Sequence, residues 1–384
     1  MSTAPSTFVL RNGRVLTDAG FRDDLDVVVE AGRIAGVHAA GTAAPPAVDL
    51  QGDWLVPGFI DTQVNGGGDV LFNDAPTVDG LRTIAAAHRR FGTTGLMPTL
   101  ISDDVEVMRR ALDATREAIA QGVPGILGLH LEGPYLAEAR KGVHDPQTFH
   151  TPDAAELDLV ASLGVGRTMV TLAPERFSDD TLRALAARGL IVCAGHTAAD
   201  HARMRAAFAA GVRGVTHLFN AMTPLGSREP GAVGAALDDP GSWCGLIVDG
   251  HHVHAATLRV AIAAKPRGRT MLVTDAMPPV GGAREDFALY GVTMTCRDGL
   301  CTTADGTLAG SALDMASAVR NTVALGLPLD EACRMAATYP AEFLRLDGEL
   351  GRIAPGYRAD LVRLDDALQV RETWIGGVGA AAGS

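Results

Sequence analysis

The sequence predicts a (β/α)8 TIM barrel joined to a small β-sandwich domain made from the two ends of the chain. Three observations lead there. Eight short apolar segments between residues 58 and 274 alternate with amphipathic helical stretches, the pattern of a parallel sheet covered by helices. The ends of the chain show short alternating segments broken by turns, which is β-meander patterning. Titratable side chains concentrate just past the predicted barrel strands, where α/β folds place their active sites.

Phe8–Leu16, Leu25–Glu30 and Arg33–Val37 read as strands separated by Asn12-Gly13 and Ala31-Gly32 turns, and Gly41–Ala47 as a loop. The β pattern returns at Ala359–Leu364 and Val370–Ile375, followed by an Ala/Gly tail after Gly376. Pairing the two ends gives a small domain from residues 1–56 and 355–384, with the barrel, residues 57–354, inserted between them. The predicted barrel strands are Gly58–Val64, Thr94–Thr99, Gly125–Leu131, Thr168–Leu172, Leu190–Ala194, Val212–Leu218, Trp243–Val248 and Thr270–Thr274. Helices over Val78–Arg90, Asp103–Ala120 and Thr181–Arg188 fall between them, with Ser102 and Ser178 as N-caps.

Composition narrows the function. A net charge of −12 with no basic stripe excludes a general nucleic-acid binder, so an anionic substrate must be met by a local cluster of donors. The five cysteines are odd in number and form no CxxC, the pattern of reduced core thiols. Met1–Phe8 has no basic and apolar leader pattern, and no apolar run approaches the roughly 18 residues that span a membrane. A cytoplasmic protein is expected.

Leu190–Met222 is the sharpest stretch. Its first strand runs into Gly195-His196-Thr197, an alanine-rich helix of roughly Ala199–Ala210 follows, and Val212–Val215 runs into Thr216-His217-Leu218-Phe219-Asn220. Either histidine alone reads as a loop residue, but two on adjacent parallel strand ends are half of a metal site. Strand three ends His130-Leu131-Glu132-Gly133-Pro134. Glu132, His196 and His217 leave a coordination position for water, as catalytic and not structural sites do. Asp275, just past the last strand, is placed to act as general base and then return the proton to a leaving amine; its plainer reading is a helix N-cap. Strand one ends Asp61-Thr62-Gln63-Val64-Asn65, and strand seven Asp249-Gly250-His251-His252-Val253-His254.

The segments PGFIDTQVNGGG, GLHLEGPY, KGVHDP, AGHT, THLFNAM, DGHHV, LVTDAM, LAGSALDM and ATYPAEFLRL follow one another along nearly the whole chain. On these the chain resembles the amidohydrolase superfamily, and within it the branch that deacetylates N-acetylglucosamine 6-phosphate. HLEGP with THLFNAM sets this branch apart from hydantoinases and dihydroorotases, which use a metal-bridging modified lysine. The resemblance implies hydrolysis of the acetamide of N-acetyl-D-glucosamine 6-phosphate to D-glucosamine 6-phosphate and acetate, a step of amino-sugar catabolism and cell-wall recycling. It implies metal ligation by Glu132, His196 and His217, acid/base work by Asp275 and carbonyl polarisation by His144.

Many superfamily members hold a second metal with His-x-His at the end of strand one. Here Gln63-Val64-Asn65 stands in that place, and neutral amides are weak ligands beside imidazole. The expected cofactor is therefore one divalent ion per chain, Zn²⁺ first, with Fe²⁺, Mn²⁺ or Co²⁺ as alternatives, and Gln63 and Asn65 are expected at the substrate. For the phosphate, the resemblance implies the backbone N–H groups of Asn220 and Ala221, together with His252 and Arg228; a plain loop pairing of Arg228 with Glu229 is the alternative. Leu308 and Ala309, beside Gly310, are expected to line the sugar pocket. His251 and His254 read as bystanders and Met315 as core. The expected partners are a small phosphorylated amino sugar and a second copy of the chain in a homodimer, with no nucleic acid or membrane. The competing readings are a cyclic-amide hydrolase, which would want His-x-His and the bridging lysine, and an inactive scaffold, which would have lost ligands or Asp275.

Overall fold

The eight predicted barrel segments form one parallel sheet. The computed structural model describes residues 7–43 and 46–382, so the parts of the sequence reading that fall on Met1–Ser6, Ala44–Pro45 and Gly383–Ser384 lie outside the described residues. The barrel strands are β1 Phe59–Val64, β2 Thr93–Ile101, β3 Gly128–Glu132, β4 Arg167–Leu172, β5 Ile191–Ala194, β6 Gly214–Val215, β7 Trp243–Leu246 and β8 Thr270–Leu272. Sequence neighbours are sheet neighbours from β1 to β8, and a parallel bridge from Val64 to Ala276 closes the ring. Helices cover the sheet from outside and side chains fill its interior, which is why these strands read as nearly continuous apolar runs. β6 is far shorter than the predicted Val212–Leu218, because the chain leaves the ladder at Thr216 to enter a tight turn.

The helices Val78–Arg89, Val105–Ala120, Asp179–Ala187 and His201–Ala209 lie between strands. Ser178 caps the third, its hydroxyl accepting the Thr181 N–H at 3.1 Å. Ser102 does not cap the second. β2 extends to Ile101, so Ser102 lies at the strand end, and Asp104 takes the N-cap position.

Both chain ends build the β-rich domain. One sheet holds Thr7–Arg11, Leu25–Glu30, Arg33–Ala39 and Ala47–Asp49; the other holds Arg14–Thr17, Gly20–Arg22, Trp54–Pro57, Leu361–Leu364, Val370–Ile375 and Val378–Ala381. Phe8, Leu10, Val27, Val29 and Ile34 pack with Leu55, Leu361 and Trp374 in a core distinct from the barrel's. The Ala/Gly stretch after Gly376 is no loose tail: Val378–Ala381 pairs with Val370–Ile375, and Gly376 and Gly377, both at positive φ, make the turn.

An antiparallel sheet that the sequence reading did not anticipate, Asp286–Leu289, Val292–Arg297, Leu300–Thr302 and Leu308–Ser311, follows β8. It corrects the cysteine reading. Cys296 and Cys301 face each other across this sheet with Cα atoms 4.0 Å apart and are joined as a disulfide, while Cys193, Cys244 and Cys333 are free and buried. Among the described residues no helix is long and apolar enough to cross a membrane.

Because the two cores are separate, Leu361→Ala is expected to destabilise the β-rich domain by ~2–5 kcal/mol. A lowered thermal midpoint, with the barrel's affinity for divalent cations unchanged, is the outcome to measure.

Candidate active site

Three site residues sit in the left-handed region, His196 at φ 46°, His217 at φ 32° and Asp275 at φ 54°. Each lies just beyond a barrel strand, β5, β6 and β8 respectively. Such backbone costs of order 1–3 kcal/mol per residue and persists only where its surroundings enforce it. Here the three residues turn off the barrel wall, and all of them line one cavity of about 460 Å³ at the carboxyl ends of the strands.

Glu132, the last residue of β3, meets the two histidines there. Its Oε1 lies 3.0 Å from His217 Nε2 and 3.3 Å from His196 Nε2, and the two nitrogens are 3.1 Å apart. His196 Nδ1 lies 2.8 Å from the Arg140 carbonyl. A carbonyl only accepts, so Nδ1 carries a ring proton and Nε2 is the nitrogen turned toward Glu132. An imidazole oriented by a backbone carbonyl, a carboxylate and a second imidazole converging on one point are the donor set of a divalent cation. The residues fit such an ion. Burial pushes the Glu132 carboxyl up, but hydrogen bonds and charge from His196 and His217 outweigh it and hold the group well below the usual carboxylate range.

Asp275 faces this cluster. Its Oδ1 accepts from Gln63 Nε2 at 3.0 Å and Asn65 Nδ2 at 2.7 Å, and Gln63 Nε2 also reaches Glu132 Oε2 at 3.0 Å. The strand-one amides therefore hold carboxylates. Gln63 sits behind the cavity wall, whereas Asn65 lines it. Burial, with the Glu132 charge added, raises the Asp275 pKa above the ordinary carboxylate value. His144 closes another side. Its Nδ1 accepts from Ser102 N at 3.3 Å and lies 2.8 Å from Ser102 Oγ, so the ring proton is on Nε2. Burial and the neighbouring His196 ring push its pKa well below 6.5, favouring the neutral ring.

Asn220, Ala221 and His252 line the same cavity. His252 Nδ1 is 2.6 Å from Asp249 Oδ2. The Asn220 N–H is not free for an anion, since the turn after β6 gives it to the His217 carbonyl at 3.0 Å. Leu308 and Gly310 line the cavity, but Ala309 points the other way into the apolar cluster of the added sheet, as strand alternation requires. Arg228 is exposed, lies outside the cavity lining and has no partner among the described residues. The Arg228–Glu229 pairing is also absent there, Glu229 binding the N–H groups of His201 and Gly231. His251 contacts the Asp298 carbonyl at 3.2 Å and His254 caps the helix Ala255–Ala264, both away from the lining. Met315 is fully buried.

The model of the amidohydrolase family matches residues 54–378. The chain belongs to the amidohydrolase family. It is 44% identical over 374 residues to an N-acetylgalactosamine-6-phosphate deacetylase of Shewanella sp. (strain ANA-3), covering 95% of this chain and 93% of that protein. It is 36% identical to an N-acetylglucosamine-6-phosphate deacetylase of Haemophilus influenzae, covering 86% and 87%. The crystal structure of N-acetylglucosamine-6-phosphate deacetylase from Pasteurella multocida superposes with a TM-score of 0.95 at 33% identity, covering 98% of this chain and all of that one. The motif resemblance thus stands, and this amidohydrolase is a hydrolase whose Glu132, His196 and His217 can hold a metal ion.

Sequence reasoning missed the groups that hold the amidohydrolase side chains in place. Ser102 fixes His144, the Arg140 carbonyl fixes His196, and Asp249 fixes His252. Only Asp249 carried a cue, standing three residues before its partner. Gly133, at φ 88°, must be glycine: a Cβ would meet Ser102 Oγ at 2.2 Å. His130, two residues before Glu132, points into the barrel between Thr99 Oγ1 (3.1 Å) and Thr171 Oγ1 (2.8 Å), and burial pushes it down to about 4.

Glu132→Gln removes the anionic member of the cluster while keeping its shape. Divalent-cation content after gel filtration is expected to fall to a small fraction of wild type, with the fold retained by circular dichroism.

Proposed function

We propose that the chain hydrolyses the acetamide of an N-acetyl-D-hexosamine 6-phosphate, releasing acetate and the free amino-sugar phosphate. The observation that carries this is one cavity in which a Glu/His/His cluster able to hold a cation, a half-buried carboxylate and a neutral histidine donor face one another. A divalent ion at Glu132, His196 and His217, one per chain with Zn²⁺ first, would activate water and polarise a carbonyl. Asp275 has Oδ1 engaged by two amides, so Oδ2 takes the water's proton and returns it to the sugar nitrogen, which otherwise leaves as a poor amide anion. Its raised pKa suits a group that must both accept and donate. His144 Nε2–H donates to the acetyl oxygen as charge develops there. His252, held by Asp249, and the Ala221 N–H, which has no backbone acceptor among the described residues, face the phosphate.

Arg228 supplies the remaining phosphate contact from outside. Its exposure and its place outside the lining of its own cavity support donation into the cavity of a second copy, in a homodimer. D-glucosamine is the first reading of the sugar; the galacto epimer is the second, because the relative at 44% identity is named for N-acetylgalactosamine 6-phosphate. A cytoplasmic site of action goes with a phosphorylated sugar substrate.

Acetate release from both epimers, measured side by side, tests the substrate; activity on neither ends the proposal. Asp275→Asn is expected to lower the single-turnover rate by about 10²–10⁴-fold while cation content stays at the wild-type level, and loss of the cation with the rate would make Asp275 a ligand instead. Arg228→Ala is expected to weaken the phosphorylated substrate by ~1.5–3 kcal/mol and to leave the unphosphorylated sugar unaffected. Equal losses on both sugars would move Arg228 to a structural role.

A further inference from the structure

Asp61 is a fully buried carboxylate that the chemistry above does not use. It lies where β1 meets the end of β8. Its Oδ2 accepts from Thr274 Oγ1 at 2.5 Å, and its Oδ1 accepts from Gln63 N at 3.1 Å and Thr274 N at 3.3 Å. Thr274 precedes Asp275, and its hydroxyl accepts from Ala276 N at 3.2 Å. Gln63 takes the Asp275 N–H on its carbonyl at 3.0 Å and gives its side-chain amide to the Asp275 carboxylate. Bonds from this one carboxylate therefore brace the left-handed turn at Asp275 from both flanks, through Thr274 just past β8 and Gln63 in β1.

We propose that Asp61 is a positioning residue for Asp275, fixing through Thr274 and Gln63 the turn that aims the Asp275 carboxylate into the cavity. This rests on the acid/base reading of Asp275. Geometry, and not charge, is what Asp61 supplies. Burial pushes its pKa up to about 7, so both protonation states are populated near neutrality, and the site accommodates either. A proton on Oδ2 faces Thr274 Oγ1, whose own hydrogen then turns to the Gln63 carbonyl 3.4 Å away. An asparagine amide fits by the same exchange, with its oxygen under the two N–H donors and its NH₂ toward the Thr274 hydroxyl.

The test compares Asp61→Asn, Asp61→Ala, Thr274→Ser and Thr274→Val with wild type, on N-acetyl-D-glucosamine 6-phosphate or its galacto epimer, whichever is turned over. Asp61→Ala and Thr274→Val are expected to lower kcat by about 10–100-fold, the scale of a misplacement of about 1 Å, with KM within about twofold and cation content unchanged. Asp61→Asn and Thr274→Ser, which keep the hydrogen bonds, are expected to stay within about threefold of wild type. Wild-type kcat in both Asp61→Ala and Thr274→Val would overturn the inference. So would an Asp61→Asn as slow as Asp61→Ala, which would make charge the working feature, or losses of kcat, KM and cation content together, which would make the role one of packing. Should Asp61→Ala fail to fold, the Thr274 pair alone decides. Asp275→Asn separates this inference from the reading beneath it: full activity there removes the acid/base role, whereas a dead Asp275→Asn beside fully active Asp61→Ala and Thr274→Val removes only the role of Asp61.

Discussion

The structure depends on the seam that closes the barrel. A parallel sheet of eight strands satisfies its backbone only if the last strand finds the first, and here that contact is made by few residues. Val64 bridges Ala276, the Asp275 N–H meets the Gln63 carbonyl, and the Asn65 N–H meets the Ala276 carbonyl. β1 also follows directly from Trp54–Pro57 of the β-rich domain, which pairs with Leu361–Leu364 from the far end of the chain. The seam thus joins residues distant in sequence twice over, once in the barrel and once in the domain beside it. The same few residues carry the strand-one amides and the proposed proton shuttle.

Burying acids at that seam and around the cavity beside it is costly unless each finds donors. Glu132 and Asp61 are inaccessible or nearly so and Asp275 is half-buried, and each solves the problem differently. Glu132 faces two imidazoles, and its pKa falls. For Asp275, burial and the neighbouring Glu132 carboxylate outweigh the His217 and His252 charges and the Asn65 amide, and its pKa rises. Asp61 has a hydroxyl and two backbone N–H groups, and titrates near neutrality. Two carboxylates in one cavity, held apart in proton affinity by their surroundings, suit a division between ion binding and proton transfer.

The cavity is roofed by parts that the barrel alone does not provide. The loop carrying Arg140 and His144 comes between β3 and β4, and its Arg140 carbonyl orients His196 from above. The sheet that follows β8 contributes Thr307, Leu308 and Gly310 to the lining. It is tethered on one side where Tyr290 donates to the Ser102 carbonyl, and on the other where His251 meets Asp298. The added sheet thus contacts Ser102, which holds His144, and His251, the neighbour of the His252 that Asp249 holds. Shaping the cavity and orienting its side chains are therefore one packing problem.

Local information in the sequence carried the barrel strands, the helices Val78–Arg89, Val105–Ala120, Asp179–Ala187 and His201–Ala209, and the strand-end positions of Glu132, His196, His217 and Asp275. Apolar periodicity and the residue just past a strand are properties of neighbouring positions, and strand-end side chains of a parallel barrel must share one face. What only the tertiary structure decided was who meets whom across the chain. Ser102 read locally as a cap and instead holds His144. Gln63, expected at the substrate, bonds two carboxylates, while the Asn220 N–H closes its own turn and Arg228 is exposed outside the lining of its own cavity. Cys296 and Cys301 became partners because a hairpin register set them opposite each other. Each of these depends on ring closure, on a reversal of φ at a strand end, or on the register of an added sheet. Such long-range geometry leaves no period in the sequence that a local reading can detect.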